Sequence, residues 1–355
     1  MSNLNKVMLG LSGGVDSATS AGILLKSGYQ VQPILMHNWQ DDQHCHIEDD
    51  LHACQQVCEH FGLSLEVVNF ATIYRKEVFD YCLTLFQQGL TPNPDILCNR
   101  QVKFQALKNY AFENGFHYLA TGHYARCEQR DGQNALLCAP DLIKDQTYFL
   151  SQLSQSQLDH VLFPIGHLKK DAVRQMASKL QLPNASRKDS TGICFIGERR
   201  FDHFLKEHLL TKPGDAIDMH GNIIGQHQGL FFYTLGQRRR LGIGGIKEAE
   251  NSPWYVVKKN LSMNQLILTQ NKQDLFKTFV KTEALHMIRT EISPHEIITC
   301  KLRHGPSRVE AKVSQQDQSA IVEFLSPQEA PTPGQYLVFY RDEECIGSAM
   351  ILEQL

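Results

Sequence analysis

Two features of this chain have the residue types to do chemistry. The first is the segment Gly10-Leu11-Ser12-Gly13-Gly14-Val15-Asp16-Ser17. Paired glycines let a backbone close on an anion and take up positive φ. A helical pattern follows at once, and a helix start presents unpaired N–H groups and the positive dipole end, which suit phosphate. Ser12 and Ser17 add hydroxyl donors. No Lys follows the glycines, so this is not the Walker loop, and the spacing is not that of the dinucleotide fingerprint. A lone glycine pair could equally be a plain turn between strand and helix.

The second feature is a pair of cysteines. Cys98 closes the run TPNPDILC (91–98). Pro92 and Pro94 stiffen the approach. A helix is expected to begin soon after Cys98, and a thiol near a helix N-terminus holds more thiolate. Asp95 is close enough in sequence to take or give a proton. Cys194 lies in the polar, glycine-containing run DSTGICF (189–195). Only the fold could bring the two together, and residue physics alone favours an inert cysteine over a nucleophile at each position.

The elements that must position these groups follow from hydrophobic periodicity. Residues 6–11, 30–36, 65–70 and 116–120 read as buried strands, and Val15–Lys26, Ile47–Phe61 and 101–114 as helices, with Gly28 and Gly62 as stops. Such alternation predicts an α/β domain with a parallel sheet and helices on both faces. Residues 124–139 depart from it, because Asp131-Gly132 between two strand-like runs reads as a hairpin. A helix returns at 169–180. From about residue 208 short strands and turn signals such as Pro213-Gly214 and Pro333-Gly334 predict all-β structure. The expected division is 1–207, 208–272 and 273–355, with 271–281 as a linker.

Composition limits the rest. The chain has 355 residues, a net charge of −3 and ten cysteines. No apolar run approaches the roughly 18–20 residues that span a bilayer, so no membrane role and a cytoplasmic location are expected. In a reducing compartment scattered cysteines do not form a structural disulfide framework; Cys54 and Cys58, on one helical face with Leu51 and Phe61, read as core. The charge argues mildly against a nucleic-acid partner, although Arg238, Arg239 and Arg240 are consecutive cations. His37, Asp41, Asp42, His44, Cys45 and His46 have zinc-ligand types, but without a second ligand pair at finger spacing they read as a polar active-site loop, and no metal site is expected from them.

The chain resembles the tRNA-specific 2-thiouridylases, bacterial enzymes of the ATP pyrophosphatase superfamily. The resemblance rests on GLSGGVDS (10–17), TPNPDILCNRQVKF (91–104), ATGHYAR (120–126), KDQTYFL (144–150), STGICFIGERRF (190–201) and GQRRRLGI (236–243). It implies a nucleotide-binding α/β domain followed by two small β domains, and an enzyme that adenylates C2 of a wobble uridine and replaces its oxygen with sulfur. By that resemblance Cys194 carries the sulfur as a persulfide, Cys98 resolves it to a transient Cys98–Cys194 disulfide, and Asp95 is the acid/base. ATP is implied at Gly10, Leu11, Ser12, Gly13, Gly14, Val15, Asp16, Ser17, Met36 and Gly122, with Mg2+ on its phosphates. The implied tRNA contacts are Asn93, Pro94, Asp95, His123, Lys144, Asp145, Gln146, Arg303, His304 and Gln335; a cysteine desulfurase or sulfur-relay protein is the implied donor. His304 departs from the family, which has Tyr there, as does Gly305-Pro306-Ser307 after it. The competing readings are an ATP pyrophosphatase acting on a small molecule and a non-catalytic tRNA binder.

Overall fold

Val7, Met8 and Leu9 have no exposed surface, because a central parallel strand is covered on both faces. They form the middle of β1 (Lys6–Gly10), in a computed structural model that describes residues 5–39, 47–188, 207–242 and 252–355. β1 pairs in parallel with β2 (Gln30–His37) on one side and β4 (Tyr118–Thr121) on the other. β3 (Glu66–Asn69) and β7 (Val161–Leu162) extend the sheet to the order β3-β2-β1-β4-β7. The chain builds one side from β1 to β3 and then crosses to β4. The order therefore reverses between β1 and β4, and in open α/β sheets ligands bind at such a reversal, beyond the carboxyl ends of the strands. α1 (Val15–Lys26) follows β1 and buries Ala18, Ala21 and Leu24. α2 (Ile47–Phe61) buries Cys54, Val57 and Cys58, so the core assignment of the two cysteines holds.

A second sheet has the order β10-β11-β8-β9, from β8 (Gly214–Ile217), β9 (Ile223–His227), β10 (Tyr255–Asn260) and β11 (Gln265–Thr269). The third is the largest. It contains β12 (Phe276–Glu283), β13 (His286–Met287), β14 (Ile297–Lys301), β15 (Val309–Gln316), β16 (Ser319–Glu329), β17 (Tyr336–Arg341) and β18 (Glu344–Gln354). Residues 271–281 are thus not a simple linker, because β12 begins at Phe276 and pairs with β16 and β18.

The hairpin of β5 (Ala125–Arg130) and β6 (Gln133–Cys138) belongs to this third sheet, where β6 pairs antiparallel with β18 at Leu136–Cys345 and Leu137–Glu344. Alternation along β17 explains how the sheet joins the nucleotide domain. Leu337 and Phe339 enter the core of the C-terminal β domain. Tyr336, Val338 and Tyr340 point the other way, into one apolar cluster with Met8, Ile34, Cys98, Val102 and Phe104. With period-2 geometry both faces of β17 are buried, and the nucleotide domain and last β domain share a core.

Candidate active site

The loop after β1 has the form an anion needs. Gly13 has φ +72°. Gly14 is the N-cap of α1 and no side chain caps that helix, which leaves its first-turn N–H groups for a ligand. Ser17 Oγ accepts from Ser12 N at 3.2 Å and donates to Gly14 O at 3.1 Å, drawing the loop round the helix start. Leu11 and Val15 are buried beneath it and Ser12 is exposed. Gly122, after β4, abuts the backbone of Asp16 and Ser17. Half-buried Met36 is the last but one residue of β2, which pairs with β1 on the side away from β4. The expected ATP residues therefore gather at the sheet's reversal point.

Other residues complete this loop and were not expected from sequence. Lys170 Nζ lies 2.8 Å from Asp16 Oδ2, and Tyr124 OH donates to Asp16 Oδ1 at 2.7 Å. Asn184 Nδ2 and Arg187 Nη1 donate to Gly13 O at 2.8 and 3.1 Å. Asn184 Oδ1 is buried with no partner among the described residues. Tyr124 carried a signal, since it follows Gly122 and His123 in a quoted motif; Lys170, Asn184 and Arg187 lie outside every motif.

A Cβ on Gly13 would stand 2.7 Å from Arg187 Nη1 and 3.0 Å from Ala53 Cβ. Left-handed backbone costs a non-glycine residue roughly 1–2 kcal/mol as well. Gly13→Ala is therefore expected to weaken ATP binding roughly tenfold or more. Calorimetry that finds unchanged affinity would remove the loop from the ATP site.

Cys98 sits differently from expectation. The helix starts before it, at Pro94, with Asn93 as N-cap; Asn93 Oδ1 accepts from Ile96 N at 3.3 Å. The helix then continues as a π-helical stretch over Cys98–Leu107. Cys98 is one turn inside the helix, where the terminal dipole has largely faded, and it is 1% exposed. Asp95 is half-buried in the first turn, three residues ahead on the same helical face. Burial pushes the thiols of Cys54, Cys82 and Cys300 up to about 12 and those of Cys58 and Cys127 up to about 11, so these are protonated and inert at neutral pH. Cys194 and the run 190–201 lie outside the described residues, as do Asp41, Asp42, His44, Cys45 and His46.

Several expected RNA contacts are engaged within the protein. Asp145 has no exposed surface, and its carboxylate accepts from Lys301 Nζ at 2.8 Å, Thr147 Oγ1 at 2.8 Å and Ala139 N at 3.2 Å. Gln146 Oε1 accepts from Tyr124 N at 2.9 Å. His123 is buried beside Phe104 and Phe163, with Nδ1 2.7 Å from Thr121 Oγ1. Burial, then the charge of Lys103, holds its imidazole well below the usual range, so it is neutral at pH 7. Asp145 and His123 are thus buried, and half-buried Gln146 braces the backbone at Tyr124.

Half-exposed Lys144, and exposed Arg303 and His304, remain at the surface, with half-buried Asn93, Pro94 and Gln335 nearby in the fold. His304 stacks on Phe149 at 4.9 Å, and its Nε2 is 3.1 Å from Asp145 O. Partial burial of the ring against Phe149 lowers its pKa, the bond to Asp145 O opposes this, and the charges of Lys301 and Lys144 add to the lowering. Arg238, Arg239 and Arg240 are exposed and line a cavity of about 630 Å3 with Trp254. Among the described residues no three His, Cys, Asp or Glu side chains cluster as metal ligands, and no helix is long and apolar enough to cross a membrane.

A parallel sheet with an uncapped, glycine-led helix at its reversal point defines a nucleotide-binding α/β domain, here joined to two β domains. Residues 5–198 match the family described as tRNA methyl transferase HUP domain, 202–270 the tRNA methyl transferase PRC-barrel domain, and 277–351 the aminomethyltransferase beta-barrel domain. The chain belongs to the tRNA-specific 2-thiouridylase family. It is 45% identical to the tRNA-specific 2-thiouridylase MnmA of Proteus mirabilis, over 98% of this chain and 96% of that protein. It is 44% identical to that of Stutzerimonas stutzeri, over 98% and 94%. Among solved structures, a 4-thiouridine synthetase–RNA complex with bound ATP aligns at a TM-score of 0.36 and 17% identity, over 57% of this chain and 50% of that one, a level from which nothing functional follows.

Proposed function

We propose that this chain is an ATP-dependent tRNA-uridine 2-sulfurtransferase. The observation that supports it most is the assembly of the quoted motifs: GLSGGVDS at the sheet's reversal point, ATGHYAR against it, and the Cys98 segment in the core shared with the last β domain. The carbonyl oxygen of a uracil is a poor leaving group, and adenylation of O2 lets it depart as AMP. The residues present fit ATP, because no side chain caps the α1 N–H groups. Mg2+ would be held on the ATP phosphates and would supply charge neutralisation there, while the Asp16 carboxylate, engaged by Lys170 Nζ and Tyr124 OH, braces the loop.

A desulfurase or relay protein loads Cys194 as a persulfide. Its terminal sulfur bonds to C2 and AMP departs. The Cys98 thiolate then attacks the inner sulfur of Cys194, breaking the S–S bond and leaving 2-thiouridine and a Cys98–Cys194 disulfide for cellular thiols to reduce. Attack by Cys98 before transfer would instead release hydrogen sulfide as the nucleophile, with the same disulfide. Asp95 serves as acid/base. Lys144, Arg303, His304 and the arginine run 238–240 would meet the tRNA, and the target base would leave the anticodon loop to reach the site.

The test is mass spectrometry of nucleosides from tRNA incubated with the protein, ATP, Mg2+ and sulfide. A 2-thiouridine peak that requires ATP is expected. AMP formation with a small acid alone and no thiolated uridine would replace this reading with a small-molecule ATP pyrophosphatase.

A further inference from the structure

We infer that the turn 333–335 of the C-terminal β domain is a positioning element for the helix that carries Asp95 and Cys98. Two prolines flank Asn93, and neither has an N–H to anchor the approach. The anchoring comes from the far end of the chain. Thr91 N donates to Pro333 O at 2.8 Å. Gln335 Nε2 donates to Thr91 O at 2.8 Å and Pro92 O at 3.2 Å. Asn93 Nδ2 donates to Gln335 Oε1 at 3.3 Å while Asn93 Oδ1 caps the helix at Ile96 N. One side chain thus ties the clamp to the helix start.

The backbones also touch. Gly334 has φ +92°, and a Cβ there would lie 2.6–2.8 Å from Thr91 N, C and O. The turn is itself sewn to β18, through Gly334 N to Ile351 O and Ile351 N to Gln335 O, both at 2.8 Å. A rigid sheet therefore holds the turn, the turn holds 91–93, and the helix follows. Gln335, an expected tRNA contact, has its amide bonded to the segment that leads to Cys98. Thr91, Gln335 and Arg303 line a cavity of about 230 Å3 with Thr234 and Glu329, so RNA bound at Arg303 would meet the same element.

This inference rests on the sulfur-transfer reading for its kinetic arm only. Gln335→Ala and Gly334→Ala are to be compared with the parent chain by tRNA affinity in filter binding, kcat at saturating tRNA, and the rate of Cys98 alkylation by iodoacetamide without tRNA, located by peptide mass spectrometry. Misplacing a reactive group by about 1 Å can cost about 100-fold. The expected result is a kcat lowered 10- to 100-fold, tRNA affinity within about twofold of the parent, and an altered Cys98 alkylation rate with a thermal midpoint close to the parent's for Gln335→Ala. Weakened tRNA binding with unchanged kcat and alkylation would make Gln335 an RNA contact only and overturn the proposal. Should the parent chain thiolate no tRNA, the functional reading fails, and the alkylation arm still decides whether the turn positions Cys98.

Discussion

A Cys98→Ala protein is expected to bind ATP and release AMP with tRNA, yet to form 2-thiouridine at least about 1,000-fold more slowly than the parent chain. The two halves of that outcome come from different parts of the fold. The loop at Gly13 and the α1 N-terminus belong to the parallel sheet and do not use the thiol. Cys98 lies on a separate helix, anchored by Asn93 and by Asn99, whose Nδ2 donates to Phe149 O at 3.0 Å. Removing one sulfur atom from a buried site leaves that framework in place. AMP release, pyrophosphate exchange and nucleoside mass spectrometry on one preparation separate the steps. Thiouridine at the parent rate would remove Cys98 from the chemistry.

Lys301→Met is expected to destabilise the whole protein by about 3–5 kcal/mol, because it leaves the Asp145 carboxylate buried without its cation. Both side chains are fully enclosed and their charged atoms are 2.8 Å apart. Lys301 also lies 5.0 Å from the Tyr340 ring centroid. Breaking such a pair costs far more than replacing it, so the double variant Asp145→Asn, Lys301→Met should recover much of the loss. Urea denaturation of the two single variants and the double variant tests this. Additive losses would mean that the pair is not coupled.

The helices at Val15–Lys26 and Ile47–Phe61 were legible in the sequence because each has apolar residues at helical spacing and a glycine soon after its end, Gly28 and Gly62. The parallel sheet followed from alternation, and the ATP loop from types and spacing. The start of the Cys98 helix was misplaced because Pro92 and Pro94 read as a stiff approach to the helix and not as its first turn. The better signal was Asn93-Pro94 itself, an N-cap residue followed by proline at the first helical position. The Asp145–Lys301 pair carries no local signal, since its partners are far apart in sequence and each looks like an ordinary surface charge. The same holds for Lys170 and Asp16. The hairpin at Asp131-Gly132 was readable, whereas its sheet was not, because edge pairing is set by tertiary packing rather than by the strand's own pattern.

That hairpin has a consequence for how the chain is made. Residues Leu136 and Leu137 of β6 find their partners at Cys345 and Glu344, close to the C-terminus. At about 5–20 residues per second of synthesis, the β6 edge emerges and then waits on the order of 10–40 s for the strand that covers it. An open apolar edge is a template for wrong pairing. The nascent chain therefore cannot finish its first domain until its last has been translated, and a fragment truncated before β18 would keep this edge open indefinitely and be prone to aggregate.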